Sequence, residues 1–302
     1  MVTVLTDSDS DIAERLDPRS AVAWMREALL AAHRGQLHSP PRVSTELGDG
    51  RLVFTTGALE GEWYGYRSYD SFDASPGAQV VVVHDRRTGI LRGVAVGNEL
   101  GPRRVGAIGA VAVDALAPPT ASTLGIVGTG VQAWNQLWAI SVVRELSEVT
   151  VFSRDPVRRN AFAARVSTEL GLPVVAGPTA QETVEGKALV VLATNSPVPV
   201  IDASWVAPGS YVTTLGPKQF GRAEFGPDLV ARADVAVTDS LAQTAAYDPP
   251  FVLTGTVQHD RLTSLGAVLA GDAPAPAAGQ TVVFCSVGLA GTETYLLARL
   301  LG

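Results

Sequence analysis

Gly128-Thr129-Gly130-Val131-Gln132-Ala133 follows a short apolar run, Leu124 to Val127, and opens a segment with apolar residues at helical spacing: Val131, Trp134, Leu137, Trp138 and Val142. That is G-x-G-x-x-A between a strand and a helix, the setting in which such a loop holds a pyrophosphate. Gly128 permits the tight turn and Gly130 lets the backbone approach a phosphate. Ala133 lets the helix lie close to the strand, with free N–H groups and the positive dipole end aimed at the anion. The chemistry implied is dinucleotide binding. A bare glycine turn of any α/β unit is the competing explanation, and the flanks on both sides argue against it.

The next strand, Glu148 to Phe152, ends in Ser153-Arg154-Asp155-Pro156, with Arg158 and Arg159 just beyond. An NAD site places an acid at this tip for the ribose hydroxyls, whereas an NADP site replaces it with cations for the 2′-phosphate. Ser153 stands where the acid would be, and Arg154 can stack on adenine while pairing with phosphate. Asp155 is the rival acid if the strand ends later, and Arg158 and Arg159 can be the solvated face of a helix. The pattern favours NADP(H) over NAD(H), with Ser153, Arg154 and Arg158 at the phosphate. Further strand ends supply Ala193, Thr194 and Ser196, then Gly216, then Ser286, all expected at the cofactor because ligands of such sheets sit at the carboxyl ends of strands.

These residues need a scaffold, and the chain predicts one. Between residues 123 and about 281 strands alternate with helices, the pattern of a parallel doubly wound sheet. Before it, one main helix occupies residues 11 to 35, capped by Asp17 or Ser20, and four strand-like runs between residues 51 and 96 are separated by turns at Gly48-Asp49-Gly50 and Asp85 to Gly89. An alanine-rich helix over 104–116 leads to a hinge at Ala117-Pro118-Pro119-Thr120. The expected fold class is α/β, a Rossmann domain over 120–281 inserted in a second α/β domain made of 1–119 and 282–302.

Composition bounds the rest. The 302 residues are 46% hydrophobic and 18% charged, with net charge −7, and no long basic run exists. Nucleic acid and anionic membrane are therefore excluded as main partners. No apolar stretch reaches membrane-spanning length, Met1 to Asp7 lacks a signal peptide's basic start, and the single Cys285 fits a reducing cytoplasm. Cys285 reads as a small core residue. The four isolated histidines and the lack of a cysteine cluster give no support to a metal site.

With these pieces in order, the chain resembles the ornithine cyclodeaminase/μ-crystallin family over nearly its full length. The matching stretches are Pro41-Arg42, Thr88-Gly89, Asn98 to Leu100 through Arg104 and Ala107, and Gly128 to Ala133. Ala193 to Pro197, Pro208-Gly209, Leu215-Gly216, Gly221 to Glu224 and Phe284 to Ala290 complete the series. The resemblance implies homodimers or larger assemblies, a first domain for dimerisation and substrate, and activities on amino acids and their imines. It also exposes departures. Arg67 stands where the family has a substrate-binding lysine, and Arg104-Val105 replaces its Arg-Thr. Lys218, one of two lysines, replaces the aspartate that binds the substrate amine.

A carboxylate facing the nicotinamide would favour a cationic amine, whereas a lysine repels it and attracts a carboxylate or donates a proton. Ornithine cyclodeamination is thereby disfavoured. Arg42, Arg67 and Arg104 are expected to clamp a substrate carboxylate, with Lys218, or a water, as proton donor made more acidic by the arginines. The bland alternatives are a structural Arg67 stacked among tyrosines, a surface Arg42 or Lys218, and an Arg104 exposed in place of Arg103. The expected function is an NADP(H)-dependent oxidoreductase reducing an imine beside a carboxylate on a small substrate. The alternatives are an amino-acid dehydrogenase of the alanine dehydrogenase kind or a cyclodeaminase, and a non-catalytic NADPH-binding protein like μ-crystallin.

Overall fold

The structure, a computed structural model, describes residues 5–72 and 79–302. Residues 1–4, part of the stretch read for a leader, lie outside the described residues. Two compact units emerge: the described residues through Arg104 with Gly288–Gly302, and Val105–Val287.

The first unit opens with β1 (Leu5–Asp7), α1 (Asp9–Arg15), α2 (Pro18–His33), β2 (Leu37–His38) and β3 (Val43–Glu46). It continues through β4 (Arg51–Leu59), β5 (Trp63–Asp70), β6 (Gln79–Asp85), β7 (Leu91–Gly97) and the start of α3 (Leu100–Leu116). The single helix expected over 11–35 is two, because Leu16 and the Asp17 cap break it before Pro18. The sheet runs β1-β7-β6-β5-β4-β2, with β3 also on β4, and only the β1–β7 pair is parallel.

In the second unit come β8 (Thr123–Val127), α4 (Val131–Ile140), β9 (Glu148–Phe152), α5 (Pro156–Leu170), β10 (Val174–Ala176) and α6 (Ala180–Val184). Next are β11 (Leu189–Leu192), β12 (Tyr211–Thr214), the small hairpin β13 (Lys218–Gln219) and β14 (Arg222–Ala223), and α7 (Pro227–Ala231). They are followed by β15 (Val235–Thr238), α8 (Leu241–Ala245), α9 (Val257–Asp260), β16 (Thr263–Ser264), α10 (Leu265–Ala270) and β17 (Val282–Cys285). The parallel sheet has the order β10-β9-β8-β11-β12-β17-β15-β16. Strand order reverses between β8 and β11, which is where open α/β sheets take their ligands. The strands read as continuous apolar runs because both faces are covered: β11 and β17 are buried throughout, Cys285 included.

Two boundaries differ from the sequence expectation. The division falls inside α3 at Arg104, rather than at the Pro118-Pro119 turn. The segment from 282 to Val287 stays with the second unit, since β17 pairs with β12 and β15 and is buried between them. Gly288–Gly302 returns to the first unit, its α11 (Thr292–Leu301) lying against β4 to β7 and α2. Its close seat depends on Gly65 of β5, where an added Cβ would come within 2.6 Å of Thr294 Cγ2. No described helix is long and apolar enough to cross a membrane.

Candidate functional site

In the second unit the expected phosphate loop has the geometry it needs. Gly128 adopts φ +125°, a conformation side-chain-bearing residues avoid, and an added Cβ would stand 2.1 Å from the Ala193 carbonyl oxygen. Its N–H donates to Phe152 at 2.8 Å, while Ala193 N–H donates to Val127 at 2.8 Å, so the loop is pinned to β9 and β11. Gly130 is the N-cap of α4, and no side chain caps that helix. An added Cβ at Gly130 would meet nothing within 4 Å. Exposed Val131 and half-buried Thr129 and Gln132 complete the turn, and the Gln132 Oε1 is buried without a partner. An open cradle before a helix with unsatisfied N–H groups fits a pyrophosphate.

At the tip of β9, Asp155 is already committed. It caps α5, accepting from Val157 N–H at 2.9 Å and Arg158 N–H at 3.1 Å. A carboxylate spent on a helix cap is a poor candidate for ribose hydroxyls. Ser153 is half-buried and Arg154 exposed, while Arg158 lies exposed, 3.5 Å from Asp155. Arg159 folds back instead, donating to the Ser153 carbonyl at 3.2 Å with its guanidinium 5.4 Å from the Phe152 ring centroid.

Thr194 and Gly216, at the exits of β11 and β12, are brought together, since a Cβ at Gly216 would come within 2.1 Å of the Thr194 carbonyl. Ser196 donates to the Val198 carbonyl at 2.7 Å, and buried Ser286 donates its N–H to Thr214 at 3.2 Å. Lys218 is buried, with Nζ donating to the carbonyls of Leu215 at 3.1 Å and Gly216 at 2.5 Å. It belongs to the second unit, and the three arginines to the first. Glu224, quoted above without a role, is wholly buried and accepts from both Thr194 and Gly216.

In the first unit, Arg67 on β5 and Arg104 on α3 converge on a residue with no expected role, Glu293 of α11. Arg67 Nη1 donates to Glu293 Oε1 at 2.7 Å, Arg67 Nε to Gln79 at 2.8 Å, and its guanidinium lies 4.2 Å from the Tyr69 ring centroid. Arg104 Nη2 donates to the same Glu293 oxygen. Arg104 is buried, and it is Arg103 that turns to Glu99. Arg42 lies half-buried just before β3. Thus two arginines expected to hold a ligand carboxylate already share one carboxylate of the chain. Glu293 lies 226 and 189 residues from its partners. Its only signal in the sequence is an acid in the first turn of a mostly apolar terminal helix.

Burial alone would raise the Glu293 carboxyl, but Arg104 and Arg67 outweigh it and hold the group below the ordinary 4.5. Burial also pulls the Arg67 guanidinium below its ordinary value, with Glu293 pulling it back. A carboxyl with a lower pKa folded than unfolded binds fewer protons in the folded chain. Its contribution is therefore complete above the ordinary carboxylate range and is lost as pH falls through the folded value. The melting temperature should fall as pH drops below about 4.5, and Glu293→Gln should flatten that dependence. Equal slopes in the two proteins would remove Glu293 from the acid transition.

Among the described residues no group of three His, Cys, Asp or Glu side chains is placed to hold a metal ion. The chain matches the profile of the Ornithine cyclodeaminase/mu-crystallin family over residues 3–300. It is 30% identical over 224 residues to an uncharacterized cyclodeaminase of Sinorhizobium fredii, a match covering 74% of this chain and 65% of that relative. An iminosuccinate reductase of Paracoccus denitrificans is 26% identical, with 95% and 92% covered. Among solved structures, the Δ1-pyrroline-2-carboxylate reductase of Thermococcus litoralis, in complex with NADH and L-proline, superposes with a TM-score of 0.90 at 23% identity, covering 99% of this chain and 96% of that one. This chain belongs to the ornithine cyclodeaminase/mu-crystallin family.

Proposed function

We propose that the chain is an NADPH-dependent reductase of C=N bonds adjacent to a carboxylate, acting on a ketimine or cyclic imino acid. The observation that carries this is one chain holding both a dinucleotide-type loop and a buried pair of guanidinium groups. Arg67, Arg104 and Glu293 together leave one net positive charge. Arg67 Nη2 and Arg104 Nη1 donate to no other group among the described residues, so donors remain for a substrate carboxylate. The iminosuccinate reductase among the relatives supports the C=N assignment.

A nicotinamide cofactor held at the 128–133 loop would supply a hydride for the imine carbon. The C=N π pair then moves onto nitrogen, which takes a proton, and the product is an α-amino acid, cyclic where the imine is cyclic. Lys218, with two of its three N–H groups on carbonyls, is our candidate for the proton, with water as the substitute. Lys218→Ala is expected to lower kcat, and an unchanged kcat assigns the proton to water.

The preference for NADPH rests on Ser153 in the acid's place, on exposed Arg154 and Arg158, and on Asp155 being held by its helix cap. Ser153→Asp combined with Arg154→Ala should raise the NADH/NADPH ratio of kcat/KM by about tenfold or more. An unmoved ratio would show that the tip of β9 does not read the 2′-phosphate.

We also infer a homodimer in the cytoplasm. Trp63, Gly65 and Arg67 turn toward α11, which leaves Tyr64, Tyr66 and Val96 40%, 37% and 41% exposed on the other face of the first sheet. An open aromatic face of this kind is what a second copy would cover.

Two rival readings remain testable in one assay. An amino-acid dehydrogenase would require ammonia to reduce a 2-oxo acid. A non-catalytic binding protein, favoured by the prior engagement of both arginines with Glu293, would bind NADPH and oxidise none with any imine.

A further inference from the structure

Glu224 stands in the chain just after β14 and is wholly buried. Its Oε2 accepts from Thr194 N–H and from the Thr194 hydroxyl, both at 2.9 Å. The other oxygen, Oε1, accepts from Leu215 N–H at 2.8 Å and Gly216 N–H at 2.5 Å. All four partners are neutral donors, and among the described residues no cation pairs with it. Burying a carboxylate is costly unless hydrogen bonds compensate it, and here both oxygens are filled. Only an acceptor at both ends suits this pocket. A glutamine could accept at one oxygen alone, and its NH₂ would face two more donors.

What the carboxylate holds matters. Thr194 lies just beyond β11 and Gly216 just beyond β12, two neighbouring strands of which β11 borders the reversal of strand order. On the opposite edge of the Leu215-Gly216 segment, both carbonyls accept from the buried Lys218 ammonium. Glu224 N–H in turn donates to the Pro217 carbonyl at 2.8 Å. The segment is thus gripped by an anion on its N–H side and a cation on its carbonyl side.

We propose that Glu224 is a positioning residue that fixes the Thr194–Gly216 edge for the dinucleotide and, through the Leu215 and Gly216 carbonyls, fixes the Lys218 ammonium. The inference rests on the reading of the second unit as a dinucleotide site. It is tested by titrating the full chain with NADPH, followed by fluorescence, which needs no turnover. Glu224→Gln should raise the NADPH Kd by about tenfold or more, since two of the four bonds are lost and two donors are left facing an NH₂ group. Thr194→Val, which removes the hydroxyl that donates to Glu224 and accepts from Ser196 N–H at 3.2 Å, should raise it about threefold or more, while Thr194→Ser should restore it to within about twofold.

A general loosening would move both Michaelis constants. Positioning predicts that the KM for NADPH rises and kcat falls while the KM for the imine stays within about twofold. A folded Glu224→Gln protein that binds NADPH as the unaltered chain does would overturn the proposal. Where that variant fails to fold, Thr194→Val decides, and a Kd equal to that of Thr194→Ser overturns it. If the unaltered chain binds no NADPH, the dinucleotide reading falls first and this inference with it.

Discussion

Arg104→Met is expected to give the largest loss of function of any single change outside the nucleotide loop. The side chain is buried, its Nη2 donates to Glu293, and its Nε has no partner among the described residues. Methionine preserves much of the volume but leaves Glu293, wholly buried, with Arg67 as its remaining cation. Removing one member of a buried ion pair costs about 3–5 kcal/mol because the remaining charge stays desolvated. The substrate's carboxylate loses a charge-assisted donor at the same time, worth about 1.5–3 kcal/mol. The kcat/KM for a carboxylated imine should therefore fall by about a hundredfold, with a melting temperature several degrees lower. The double variant Arg104→Met, Glu293→Gln should recover part of the stability and little of the activity. Recovery of both would place the arginine in the fold alone. The NADPH Kd serves as the control, since the arginine pair lies in the first unit and the phosphate loop in the second.

Gly128→Ala should abolish nucleotide binding. A φ of +125° is strained for any residue with a Cβ, and this Cβ would lie 2.1 Å from the Ala193 carbonyl oxygen, well inside contact distance. The clash is with backbone at the exit of a buried strand, so it cannot be relieved by turning a side chain. Either β8 and β11 separate or the loop changes shape, and both displace the free N–H groups of α4. A cost of about 3 kcal/mol or more and a rise of about a hundredfold or more in the NADPH Kd are expected. Gly130→Ala makes the informative comparison, because an added methyl there meets no protein atom within 4 Å. It should leave the melting temperature unchanged and weaken NADPH binding alone. A Gly130→Ala protein with an unchanged Kd would mean that no phosphate lies against that glycine.

Local signals made the second unit legible. A run of apolar residues, a break at Gly128-Thr129-Gly130 and a return at helical spacing describe β8, its turn and α4 without any long-range information. The Asp17-Pro18 and Asp155-Pro156 pairs likewise mark the starts of α2 and α5. The sequence left open whether Ser153 or Asp155 stands at the ribose position at the tip of β9, and the structure adds that Asp155 caps α5.

The first unit was legible as strands and helices but not as a site. Glu293 meets Arg67 and Arg104 across 226 and 189 residues of chain, and nothing local marks it as their partner. The consequence is chemical: two of the three cations expected to hold a ligand carboxylate share an anion of the chain. The choice between Arg103 and Arg104 turned on one residue of helix register, which the start of α3 at Leu100 decides. The place of β17 was hidden for a related reason. An apolar strand near the end of a chain can join either unit, and only its pairing with β12 and β15 assigns it. Glu224 shows the same limit, since its four donors come from two segments that only the parallel sheet brings side by side.

Deuterium transfer is the most direct measurement of the central claim. The chain is incubated with NADPH carrying deuterium at C4 of the nicotinamide ring and with a cyclic imine bearing a carboxylate at the C=N carbon. Mass spectrometry then locates the label in the product. The account predicts one deuterium on the carbon next to the carboxylate, in a single stereochemical configuration, in the absence of ammonia. Tight NADPH binding with no labelled product from cyclic and linear imino acids would contradict a reductase and leave a nucleotide-binding protein in its place.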